Sequence, residues 1–270
     1  MNVNIERLIL AKKDFDMKKL TYKIGSIFLF LQSNLLVLYI PVTAQSKMEN
    51  ENIVNHQFWL DINPHFYINE EIEYYGDAGY RTVLNEDIWS RIYVRPSVRY
   101  HINRLWEFHS GLGLFYVFNE FSINRFEVTP WQAIKLNWPR FKSLKFNSML
   151  KLEERISFLT NNWESSFDLR LRYKVSGRLS VVDFNEESFL YLPLYAEIFI
   201  PISDDIQELF RNRGRAGLGL GYNISKKWGI EFLFNWQSSR GGRHESFDVT
   251  DYAYQIKIKK LWNFKKIIKF

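Results

Sequence analysis

Apolar and polar side chains alternate through most of the chain beyond residue 55, most cleanly between Ile88 and Ile102. Ile88, Ser90, Ile92, Val94, Pro96, Val98, Tyr100 and Ile102 form one set, nearly all apolar. Trp89, Arg91, Tyr93, Arg95, Ser97, Arg99 and His101 form the other, with three arginines among them. Successive side chains of a strand point to opposite sides, so the two sets predict opposite faces of one β-strand. At about 3.3 Å per residue this segment outreaches an ordinary globular strand. One greasy and one charged face suit a tilted wall between lipid and a polar interior.

The same alternation returns along the chain. Trp106, Phe108, Leu112, Leu114, Tyr116 and Phe118 oppose Glu107, His109, Gly111, Gly113 and Asn119. Phe167, Leu169, Leu171, Tyr173 and Val175 oppose Asp168, Arg170, Arg172 and Lys174. Trp228, Ile230, Phe232, Phe234 and Trp236 oppose Gly229, Glu231, Asn235 and Gln237. Roughly eleven such segments lie between His56 and Trp262, joined by turn-like clusters such as Asn69-Glu70-Glu71, Asn103-Arg104, Thr160-Asn161-Asn162, Ser203-Asp204-Asp205, Ser225-Lys226-Lys227 and Ser239 to Arg243. Segment 121–138 is the hardest to divide, and Val182 to Ser188 reads as loop.

The predicted fold is all-β: a single antiparallel up-and-down transmembrane β-barrel. An even strand count is expected of a bacterial single-chain barrel, which turns eleven visible segments into about twelve strands, with ten as the alternative. Aromatic residues close the apolar rows. Trp106 with Phe118, Trp228 with Trp236, and Tyr252 with Trp262 are spaced as two girdles around an apolar band. Pro96 inside its row asks for a bulge or an irregular strand position.

The first forty-four residues carry a different pattern. Lys18, Lys19 and Lys23 precede an apolar run from Ile24 to Ile40, and Val42-Thr43-Ala44 offers small residues before Gln45. This reads as an export signal over 1–44 that is removed, with Met17 as a second candidate start and a retained anchor as the alternative. Residues 45–55 are then a short lead, 56–262 the barrel and 263–270 a basic tail. Composition adds three limits. Aromatic content is 17%, which favours strands and membrane interfaces. The absence of cysteine excludes disulfides and thiolate metal sites. Residues 1–44 hold six basic and three acidic side chains, so the net charge of +6 falls to +3 without them, no nucleic-acid footprint.

Four short motifs, in order, carry a resemblance. They are Tyr93-Val94-Arg95-Pro96-Ser97-Val98-Arg99-Tyr100, Glu127-Val128-Thr129-Pro130-Trp131-Gln132, Lys151-Leu152-Glu153-Glu154-Arg155, and Asn212-Arg213 with Gly217 to Tyr222. Together they resemble the domain-of-unknown-function 2490 family of outer-membrane β-barrel proteins, over about residues 56 to 262. Thr129 and Lys151 stand where that family usually has arginine. The resemblance implies export to the bacterial outer membrane and supplies no activity.

The polar face provides the candidate chemistry. Arg91, Arg95, Arg99, Glu127, Trp131, Glu153, Arg155, Arg170, Arg172, Glu197 and Arg213 share the predicted inward parity and are the expected lumen charge network. Two readings compete. Matched charges in a narrow lumen neutralise one another and fill it, or arginines lining an open conduit select anions. A barrel hydrolase is the enzymatic alternative, but His109 and Ser110 are strand neighbours and face opposite ways. His101 and His109 share the inward parity on facing strands. No ligand spacing marks a metal site. The glycines from Gly217 to Gly221 recur every second residue, a packing motif rather than a nucleotide loop. The expectation is a non-enzymatic barrel without cofactor, whose partners are outer-membrane lipid and the barrel-assembly machinery, with neither nucleic acid nor metal.

Overall fold

In the computed structural model the described residues are 54–84, 89–202, 213–239 and 248–262. The expectations for 1–44, for Met17, for most of the lead, for the tail 263–270, for Ile88, for the turn at Ser203 and for most of the turn after Ser239 fall outside them. The strands are β1 (Asn55–Tyr67), β2 (Ile72–Tyr75), β3 (Asp77–Val83), β4 (Trp89–Arg95), β5 (Ser97–His101), β6 (Trp106–Asn119), β7 (Arg125–Asn137), β8 (Leu144–Leu159), β9 (Ser165–Asp183), β10 (Phe189–Pro201), β11 (Arg213–Asn223), β12 (Trp228–Ser239) and β13 (Asp248–Trp262).

Thirteen pieces make eleven staves. β2 and β3 are one strand interrupted at Gly76, because both pair with β1 in a single continuous register. β4 and β5 are one strand interrupted at Pro96, whose ring leaves no N–H for the ladder. The alternation crosses Pro96 without slipping: Val94 faces Leu114 and Ser97 faces Gly111. Segment 121–138, hard to divide in the sequence, contains β7; of the expected loop Val182 to Ser188, Val182 and Asp183 belong instead to β9, paired with Leu190 and Phe189, and 184–188 is a turn between β9 and β10.

Neighbouring staves run antiparallel around the ring until β13 meets β1 in parallel, from Asn55 opposite Asp251 to Phe66 opposite Trp262. That closure corrects the parity expectation. An up-and-down meander with an odd number of staves must close on a parallel pair, so the eleven visible segments need no twelfth. It also puts the start of β1 and the end of β13 on opposite rims.

One rim carries four turns of common chemistry. Asn69 Oδ1 accepts the N–H groups of Glu71 and Ile72, Asn103 Oδ1 those of Leu105 and Trp106, and Asn185 Oδ1 those of Glu187 and Ser188. Ser225 Oγ accepts from Lys227 in the fourth. A side-chain acceptor two or three residues before the N–H groups it takes satisfies donors at the edge of the ladder. The opposite rim carries the longest connections, 202–212 and 240–247.

Burial is inverted relative to a water-soluble protein. Among the described residues, twenty-two buried side chains are polar or charged and nine are apolar, while Ile92, Val94, Leu150, Phe167, Ile198, Leu220 and Phe232 are exposed on the outside. A soluble fold hides such groups and rarely exposes a continuous apolar surface. An outer face of this kind faces hydrocarbon, and the molecule is a transmembrane β-barrel. Trp106, Trp228 and Trp262 lie near the rim of the short turns, and Phe118, Trp236 and Tyr252 near the other. Ser110, Gln132 and Glu154 interrupt the apolar outer face.

Candidate functional site

The lumen is built from the inward parity of each stave. β7 and β8 show how. In their register Trp131 stands opposite Glu153, and the ladder lapses only near Pro130. The side chains on either side interlock. Arg155 donates through Nη2 to Glu127 Oε2 at 2.8 Å and through Nε to Oε1 at 3.1 Å, the bidentate geometry that guanidinium and carboxylate prefer. Thr129, where the resemblance expects arginine, donates to Glu127 Oε1 at 2.8 Å. Lys151 places Nζ 3.7 Å from the Trp131 ring centre, a cation–π contact.

From Glu153 the contacts continue around the wall. Arg170 on β9 binds its Oε2 at 2.6 Å, Arg172 its Oε1 at 2.6 Å, and Lys151 lies 3.4 Å from Oε1. Arg172 also binds Glu197 on β10 at 2.6 Å, and Arg215 on β11 lies 3.8 Å from the same carboxylate. Arg155 reaches Asp168 at 3.3 Å. The chain of charges therefore ties five staves, β7 to β11.

A second cluster stands apart from the first. Arg99 lies 3.0 Å from Glu73 and 3.3 Å from Glu107. Glu107 also takes Lys135 at 3.1 Å, Asn137 at 2.6 Å and His109 at 3.0 Å. His101 and His109 thus share Glu107. Among the described residues neither histidine holds a hydroxyl nucleophile, and Ser110 faces outward. Arg95 forms its own pair with Asp77. Arg91 points into the lumen without a carboxylate partner among the described residues. Arg213 lies on β11 opposite Ser239, and its side chain is outside the described set.

Several lumen residues escaped the sequence reading. Asp61, Glu73, Asp77 and Arg81 come from β1 to β3, where alternation was not followed. Tyr191 and Tyr195 on β10 lean over β11 to reach Glu231 at 2.8 Å and Asn235 at 2.5 Å on β12. The rings cross where Gly221 and Gly217 have no side chain, and a Cβ at either glycine would strike the tyrosine. The alternate glycines are the packing motif their spacing suggested. Between the walls lies a cavity of 460 Å³, lined by fourteen lysines and arginines and six aspartates and glutamates. Lining groups therefore favour negative solutes. No cluster of three or more His, Asp or Glu suited to a metal ion occurs among the described residues.

The family model described as "Protein of unknown function (DUF2490)" matches residues 56–246. The chain belongs to this family. No curated protein matches it. Similar solved structures include the NanC porin, at 12% identity over 65% of this chain and 86% of that one, with a TM-score of 0.36. The translocator domain of the autotransporter NalP from Neisseria meningitidis is similar at 12% identity, over 64% of this chain and 70% of that one, with a TM-score of 0.37. Glu127, Trp131, Lys151, Glu153 and Arg155 all lie within the matched residues.

Proposed function

We propose that this DUF2490 protein is a non-enzymatic barrel of the bacterial outer membrane whose lumen is braced and largely filled by its own charges. The carrying observation is Glu153, held by Arg170, Arg172 and Lys151 and linked through Arg172 to Glu197. Such a network lets charges stay inside a narrow lumen, because each carboxylate is met by geometry that offsets its desolvation. Inward side chains also reach past their neighbours: Arg215 on β11 lies 4.8 Å from the centre of the Trp59 ring on β1, three staves away. Support for the outer membrane comes from the closed all-strand wall, since closed barrels and helices are the structures that span a bilayer, and from the export-like pattern over 1–44. Short turns and long connections on opposite rims match the periplasmic and external sides of such barrels.

A second reading, a narrow anion-preferring conduit, draws on the excess of cations lining the cavity. Single-channel recording in a planar bilayer separates the two. The braced lumen predicts no sustained conductance steps. Stable, anion-selective steps overturn it in favour of the conduit.

A further inference from the structure

At one place in the lumen two like charges face each other. Arg81 on β3 and Arg91 on β4 stand directly opposite each other in the register, both pointing inward. Like charges at facing positions repel. Among the described residues neither has a carboxylate at ion-pair distance, whereas Arg95, Arg99, Arg155, Arg170 and Arg172 each do; Arg178 also has none, but it donates to Asn223.

The nearest acids are already engaged. Asp61 acts electrostatically on Arg81 but accepts hydrogen bonds from Tyr93 and Gln255. Glu127 acts on Arg91 but gives both oxygens to Arg155. What holds the guanidinium groups instead is aromatic. Arg81 lies 4.1 Å from the centre of the Trp59 ring and 5.1 Å from that of Tyr93, and Arg91 lies 5.5 Å from Phe115. Stacking fixes a guanidinium plane and leaves its N–H edge free. Among the described residues the buried Nε of Arg81 and that of Arg91 have no hydrogen-bond partner, and Arg81 is only 7% exposed. An unpaired buried donor is costly unless something binds it.

The structure assigns an oxyanion site to the Arg81–Arg91 pair, for a doubly charged oxyanion group such as the phosphoryl group of a small solute. Two forks with unpaired donors present the complement of a tetrahedral dianion, and each charge-assisted bond is stronger than a neutral one. The pair lies within three residues of the ends of β3 and β4, towards the rim with the longest connections. A solute entering from that rim meets it before the Glu153 braces. The site is independent of those braces and goes beyond the proposed role of the lumen.

Titrating the full-length barrel in detergent micelles with inorganic phosphate at constant ionic strength tests it, with binding followed calorimetrically for wild type and Arg91→Gln. Saturable binding that weakens at least tenfold in the variant is expected, with chloride unable to compete. Unfolding without phosphate provides the second readout. Removing one of two repelling charges should leave the melting temperature of Arg91→Gln equal to or above that of wild type, and phosphate should raise it only in wild type. Absent saturable binding by wild type, equal binding by the variant, or an unliganded variant less stable than wild type each overturns the site.

Discussion

Among single residues, Glu153 carries the most consequence. Three cations converge on one buried carboxylate, so its removal leaves guanidinium groups in a narrow interior without their counter-charge. Breaking a buried pair from one side costs about 3 kcal/mol or more. Glu153→Ala should lower the unfolding free energy read from urea titration of the barrel in lipid vesicles by that order, moving the midpoint down, and it should lower the temperature at which the folded gel band is lost. An unchanged midpoint would show that Glu153 braces nothing. Much of this cluster was legible in the sequence, because inward parity alone selects Glu127, Glu153, Arg155, Arg170 and Arg172. Partner choice was not legible. Which carboxylate takes Arg99, or why Arg91 takes none, depends on register between strands and on the reach of each side chain. Glu154 shows a different gap: its parity puts it outward on the lipid side, a position that a search for inward charge passes over.

At the scale of the element, β11 is thin so that its neighbours can touch. Gly217 and Gly221 let Tyr195 and Tyr191 cross from β10 to β12, and this joins staves that the backbone ladder keeps apart. Overpacking a filled site typically costs about 1–3 kcal/mol. Gly221→Val should therefore destabilise by about 2 kcal/mol in the same urea assay and displace Tyr191 from Glu231, whereas a neutral result would show that the tyrosine has room elsewhere. The spacing of these glycines marked a packing role, but not which rings use the space, since those rings lie on another strand. Pro96 was legible as an irregular position. That it removes a rung without shifting register emerged only from the paired strands on either side.

For the whole molecule, alternation was enough to give a barrel, because a chain of long two-faced strands has few other ways to satisfy both faces. The number of staves was visible too, and the parity rule for bacterial barrels drew the expectation towards twelve. Parallel closure of β13 on β1 was invisible, since nothing in either strand's own pattern states the direction of its partner. The division of the network into separate clusters is likewise a property of the closed ring.

Everything rests on the inversion of the barrel, apolar side to lipid and charged side to the lumen. Because the chain has no cysteine, single cysteines placed one at a time from Ile230 to Trp236 on β12 can each carry a nitroxide in lipid vesicles. Collision with oxygen dissolved in the bilayer should be high at Ile230, Phe232, Phe234 and Trp236 and low at Glu231, Leu233 and Asn235. A profile without that period of two, or one with its maxima at Glu231 and Asn235, would contradict the inversion.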